Sequence, residues 1–419
     1  MLSRMKRLFA SLKKELVYLR ELSDDQRRLL FSTFLFGLAQ PMITVFSNTY
    51  LWRQSQNGIT PALFGIGQYI GLSLGFLING FLLKRFKPSV LFLFGCVLQG
   101  TVPVLLVYLG ARAEELAFVL GAALGLSAGL YWGNRNLLTS VFTQGESRFK
   151  YISVEMAATL LSSVIAPALI GWFLVFGEHT GWYAADAAYQ VTAILGFAML
   201  AIGGVRVAGV RRAFEKIDRL FLEKPSRAWN GMRALDFVNG VTDGFERVIP
   251  LLILLLFLGK EDSVGFVQSA TAILSMVGMY LAGKRIKHKD HAGVVGVWTA
   301  VTGVGKAIFA YGYSAAGALA FSAFNGLVMS FRWASLAAVM YEAIDRDPGD
   351  GLAKRYRYLM DREFFLNTGR VAGLMMFVGV YLWSPEFTVR YGLLLAIILQ
   401  IVMTLGVRAM TKLVPHTAA

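Results

Sequence analysis

Residues 121–139 read GAALGLSAGLYWGNRNLLT. Gly121, Gly125, Gly129 and Gly133 recur at every fourth position. Residues four apart share one helix face, so these glycines make a smooth stripe on which another helix can pack closely. Before this apolar run ends, Arg135 stands between Asn134 and Asn136. An arginine inside a membrane helix costs about 2.5–3.5 kcal/mol on insertion scales. It is therefore either a structural cation snorkelling to the surface or a charge on a wet transport path.

Such runs recur along nearly the whole chain, which has 419 residues, 56% of them hydrophobic. That pattern predicts an all-α polytopic membrane protein. Twelve transmembrane helices are expected near 29–52, 61–83, 88–109, 116–142, 152–177, 188–208, 231–258, 262–283, 291–313, 316–342, 362–384 and 387–411. The net charge of +15 alone would suit nucleic acid, but its placement does not. With both termini in the cytoplasm, most of the 41 Lys and Arg fall in cytoplasmic segments or at their helix ends. The expected site is the cytoplasmic (inner) membrane, where these charges contact anionic lipid and no nucleic acid.

The single Cys96 excludes internal disulfides and a cysteine zinc site, and the four histidines show no ligand spacing. No metal or other cofactor is expected. No GxxxxGK[ST] loop is present, which argues against an ATP-driven pump within this chain. No nucleophile–base set suggests an enzyme.

Residues 1–28 are expected to be a cytoplasmic amphipathic segment, with leucines near helical spacing over 1–22. Ser23 and Gln26 form a capping box for the first span. Residues 29–208 make one six-helix half, 209–230 a cytoplasmic linker, 231–411 a second half, and 412–419 a tail. The halves repeat. An offset of 200 places Gln68 on Gln268, 201 places Gly125 on Gly326 and Trp132 on Trp333, 203 places Gly37 on Gly240, and 208 places Glu155 on Glu363. The slow upward drift is what loop insertions produce. Two like-oriented halves related by an axis along the membrane normal follow.

With this repeat, the long central link and the basic turns after helices 2 and 8, the chain resembles the major facilitator superfamily over residues 29–411. Gly80, Lys84, Arg85 and Lys87 keep the glycine and basic residues of that family's loop 2–3 signature, with Lys84 where aspartate is usual. Ala166-Pro167-Ala168-Leu169-Ile170-Gly171 matches part of the drug-antiporter signature of helix 5. The resemblance implies alternating access around a central cavity walled by helices 1, 4, 7 and 10.

Helix 7 carries Asp243, Glu246 and Arg247, with Asp243 about 18 Å in from residue 231. Asp243 and Arg247 are four apart and are expected to pair, as a neutral structural bridge or as part of a site. Glu246 then has no partner in its own helix. A carboxylate taken out of water is driven toward its protonated form, so Asp243 and Glu246 are the proton-coupling candidates. Gln40, Asn48, Tyr131, Trp132, Asn134, Arg135, Arg247, Arg332 and Trp333 are the substrate-cavity candidates. The Arg332–Trp333 neighbours read either as packing or as a clamp for an anionic or aromatic solute. Glu155, Glu363, Asn367, Arg370, Lys84 and Arg85 are gate candidates, with a Glu155–Arg135 bridge expected. Lys306 receives no role.

The expected function is secondary transport of a small solute, coupled to protons, by a monomer. Efflux by antiport is preferred over symport of an organic anion. A lipid-handling or non-transporting member of the same fold is the alternative class.

Overall fold

The computed structural model describes residues 22–143, 145–210, 220–283, 291–346 and 351–413. Most of the expected N-terminal segment, part of the linker 209–230, residues 347–350 and most of the tail lie outside these residues. Within them the chain is helical, with no strands among the described residues.

The first span begins with α1 (Asp24–Pro41), passes through a π-helical turn (Met42–Phe46) and continues as α2 (Ser47–Ser55). It starts at Asp24 and not near 29 because Ser23 and Gln26 complete the capping box. The first half continues with α3 (Ile59–Leu82), α4 (Pro88–Leu109), the single turn α5 (Arg112–Glu115), α6 (Ala117–Phe142), α7 (Gly145–Thr180) and α8 (Ala185–Ala208). The second comprises α9 (Arg227–Glu246), α10 (Ile249–Leu258), α11 (Glu261–Gly283), α12 (His291–Gly312), α13 (Ala315–Arg346), α14 (Leu352–Trp383) and α15 (Pro385–Leu413). The polar stretch 343–361, between the expected spans 316–342 and 362–384, is taken up largely by extensions of α13 and α14.

Nine helices of the described residues are long and apolar enough to cross a membrane. The other three expected spans are also helical. They are α6, the pair α9–α10, and α11.

The glycine stripe of α6 meets the stripe of α3. A Cβ added to Gly121, Gly125 or Gly129 would run into the backbone of Phe64, Gln68 or Gly75, and one on Gly67 or Gly71 into that of Phe118 or Ala122. The backbones touch, so only glycine fits. The second half uses the same device at repeat-related places. Gly37 of α1 abuts Ser162 of α7, while Gly240 of α9 abuts Leu366 and Gly369 of α14.

The first span of each half is broken at matching positions. In the first half Pro41 leads into the π turn. Side chains bond back to the carbonyls of this turn, which the Ser47 N–H also reaches: Ser47 Oγ donates to Met42 O at 2.6 Å and Asn48 Nδ2 to Thr44 O at 2.6 Å. In the second half α9 ends at Glu246 and α10 begins at Ile249. Pro250 has no N–H to return to Glu246 O, so the helix cannot run on unbroken there. On the 203-residue offset, Thr44 and Val45 correspond to Arg247 and Val248.

Candidate functional site

Between the halves lies a cavity of about 950 Å³. Its mid-membrane end is formed by Gln40, Pro41 and Thr44 at the α1 break, with Trp132 and Trp333 as aromatic walls. It extends to Ile152, Tyr341, Ile344 and Arg355, at the ends of helices expected to face the cytoplasm. Its lining mixes thioether and aromatic surface (Met156, Met276, Met279, Met329, Phe36) with uncharged polar groups (Thr33, Ser163, Gln268, Thr271, Ser275, Ser330).

The opposite end is closed by direct contacts between halves. Arg53 Nη1 lies 3.1 Å from Glu261 Oε1, while its Nη2 is held within the first half, 3.1 Å from Glu178 Oε1. Gly58 N–H donates to Tyr381 Oη at 3.1 Å. Ala168 N–H donates to Ser269 Oγ at 3.0 Å, where Gly171 of α7 and Gly265 of α11 let the backbones meet.

On the first-half wall, Arg135 Nη2 is 2.7 Å from Glu155 Oε2, and Glu155 Oε1 accepts from Thr33 Oγ1 at 3.1 Å. Arg135 also lies over the Trp132 ring at 5.5 Å. Glu155 is buried and Arg135 partly so, and both line the cavity. The repeat-related Glu363 is held differently. It accepts from Arg362 Nη1 at 3.0 Å and from Asn367 Nδ2 at 3.2 Å. Asn367 Oδ1 in turn accepts from Arg370 Nη1 at 2.9 Å.

Asp243 does not pair with Arg247. It is shared by two arginines from other helices, Arg332 Nη2 at 3.0 Å and Arg370 Nε at 2.9 Å. Arg332 is sandwiched against Trp298 and Trp333 at 5.1 and 4.8 Å. The i,i+4 expectation fails because α9 stops at Glu246 and its last turn tightens, with Arg247 N–H donating to Gly244 O. Arg247 instead crosses to the other half, donating to Gln68 Oε1 at 2.6 Å and Tyr69 Oη at 2.8 Å. Glu246 does find a partner, on another helix. It forms an ion pair with Lys306 of α12 and accepts from Gln400 Nε2 of α15 at 2.8 Å. Gln400 Oε1 accepts from Thr302 Oγ1 at 3.2 Å.

Of the cavity candidates, Gln40, Trp132, Arg135 and Trp333 line the cavity and five others do not. Asn48 is spent on the Thr44 carbonyl. Tyr131 is stacked on Phe36 at 4.1 Å and buried. Asn134 donates to Asn79 Oδ1 at 2.6 Å. Arg247 and Arg332 are engaged as above. Lys84 and Arg85 are exposed in the α3–α4 turn, with no ion pair to either among the described residues.

The sequence left Lys306, able to snorkel or to pair, without a role, and gave Gln400, Asn79 and Tyr69 no part. A lysine in the middle of an apolar helix was the one available signal, since such a charge needs a partner. Asn79 belongs to an inner contact between halves: its Nδ2 donates to Tyr356 Oη at 3.0 Å, and Tyr356 donates to Phe76 O at 2.7 Å. Among the described residues, no group of three or more His, Cys, Asp or Glu could hold a metal ion.

No protein-family model matches the chain. It is 21% identical over 349 residues to the uncharacterized protein YqgE of Bacillus subtilis (strain 168), covering 82% of this chain and 80% of that protein. It is 30% identical over 156 residues to an uncharacterized protein of the sodM 3' region of Geobacillus stearothermophilus, covering 37% of this chain and 72% of that protein. Among solved structures it is similar to the E. coli fucose:proton symporter FucP, with TM-score 0.59, 13% identity, and 92% and 98% of the two chains covered. It is also similar to the human organic anion transporter MFSD10 (TETRAN), with TM-score 0.63, 11% identity, and 91% and 99% covered. At these identities the structural likeness speaks to the fold.

Proposed function

We propose that this chain, which belongs to the same family as the Geobacillus stearothermophilus protein and has the major facilitator fold, is a secondary transporter that moves a small solute by alternating access. The observation that carries this reading is the cavity between the halves, reaching from mid-membrane to one face and closed by inter-half contacts at the other. Its methionine and aromatic walls, with scattered hydroxyls and amides, suit an amphiphilic organic molecule.

Coupling to protons is assigned to the helix 7 carboxylates Asp243 and Glu246, each tied to cations on other helices of its half. Such buried charge is costly in a membrane protein and is kept where it moves ions or solutes. Efflux by proton antiport is the first reading, because the cavity loads from the expected cytoplasmic face. Symport of an organic anion is the second, favoured by Arg135 and Arg355 in the lining.

The test is flux of a panel of amphiphilic organic cations and anions in proteoliposomes under an imposed pH gradient. The expected result is gradient-driven flux, lost in the Asp243→Asn, Glu246→Gln double variant. Driven flux that survives both substitutions removes the carboxylates from coupling. Absence of driven flux for the whole panel counts against the transporter reading.

A further inference from the structure

Glu246 and Arg247 are neighbours in sequence, yet they are anchored to opposite halves. Glu246 is held inside its own half by Lys306 and Gln400. Arg247 is held by Gln68 and Tyr69 of α3, and lies over the Tyr69 ring at 5.0 Å. Arg247 and Val248, between α9 and α10, keep right-handed φ/ψ but fall outside both helices, so the two anchors meet at a break and not along a continuous helix.

We infer that the Glu246–Lys306 pair is the proton-binding site of this protein, and that the adjacent helix break passes its state to the Arg247 contact between the halves. This deepens the proposed transport function and rests on it for its purpose. Lys306 is 1% exposed, so its charge is compensated only while Glu246 is ionised. A proton taken up by a Glu246 carboxylate oxygen makes the carboxylic acid and leaves Lys306 an unpaired buried ammonium. That state is unfavourable in this conformation and favours one in which the site is hydrated.

No neighbouring group takes over the missing charge. Asp243, also on α9, is already shared by Arg332 of α13 and Arg370 of α14. Arg332 adds like charge near Lys306. The α15 contact, Gln400, is neutral.

The test needs no substrate. A cysteine placed at the cavity residue Met276, in a Cys96→Ala background, reports closure through its labelling rate with an impermeant maleimide. Each rate is normalised to the same protein unfolded at the same pH. In the background protein the normalised rate should fall on acidification, by up to about tenfold per pH unit, the limit for one proton. Glu246→Gln, which mimics the protonated acid, should give a low rate without pH dependence. Glu246→Gln with Lys306→Met, which also removes the stranded charge, should restore the high rate and remain pH-independent. A merely structural pair would not separate these two plateaus.

A pH-independent background, or a slope kept in the double variant, overturns the inference. If Glu246→Gln does not fold, the neutral double variant decides alone. A pH-dependent rate without solute flux counts against transport and leaves this site standing. Proton-driven flux with a rate indifferent to both residues does the reverse.

Discussion

Arg53 of the first half and Glu261 of the second are joined at 3.1 Å across the end of the molecule opposite the cavity mouth. Tyr189 Oη also donates to the same Glu261 oxygen at 3.1 Å. Alternating access requires this contact to break. Glu261→Gln is expected to raise labelling of a cysteine at Gly58 from the face opposite the cavity mouth, in a Cys96→Ala background, and to slow labelling at Met276. Because Arg53 is partly exposed, the loss of stability should stay within about 1 kcal/mol. Unchanged labelling at both positions would show that this bridge holds nothing shut.

The glycine stripes predict opposite outcomes for one substitution at two places. Gly125→Ala puts a methyl into the Gln68 carbonyl and must push α3 and α6 apart, at a cost of about 1–3 kcal/mol. At Gly379 of α14 an added Cβ meets nothing within 4 Å. Gly379→Ala should be neutral or stabilising by up to about 1 kcal/mol, since alanine is the better helix former. Thermal unfolding in detergent measures both.

These stripes were legible because they depend only on periodicity: four-residue spacing fixes which residues share a face, and the glycines then choose the partner face. The Arg135–Glu155 pair was legible for a related reason, since both residues sit near the expected cytoplasmic ends of consecutive spans. The partners of Asp243, Glu246 and Lys306 were not legible. They are set by where α9, α12, α13, α14 and α15 cross, and spacing along one helix carries no information about that. The Asp243–Arg247 expectation failed for a further reason, the break after Glu246, which turns Arg247 toward α3. Pro250 was visible in the sequence; the consequence for the arginine three residues before it was not.

Removing one partner of the Arg135–Glu155 bridge should cost more than removing both. Glu155 is 3% exposed, and Glu155→Gln leaves the Arg135 charge without its carboxylate in the cavity wall. A loss of about 3–5 kcal/mol is expected when a buried pair loses one member. The Arg135→Met, Glu155→Gln double variant should recover part of it, because neither charge is then stranded. Unfolding midpoints for the two single variants and the double complete the comparison. A double variant as unstable as the sum of the singles would mean that the two residues act independently.

Tyr356 closes the α3–α14 seam on the cavity-mouth side while the cavity itself stays open beside it. Its hydroxyl both accepts from Asn79 and donates to the Phe76 carbonyl, and Tyr356 is 1% exposed. Tyr356→Phe keeps the ring packed against Phe76, Leu137 and Met360 but takes away the acceptor of Asn79 Nδ2, while the Phe76 carbonyl keeps its place in the helical ladder of α3. The expected cost is about 1–3 kcal/mol, the usual penalty for a buried polar group that loses its partner. That loss falls on the contact between halves, so it should appear as faster hydrogen exchange of the α3 and α14 amides near this seam, with α4 and α8 unchanged. Exchange that quickens uniformly would instead mean that the hydroxyl supports the whole bundle.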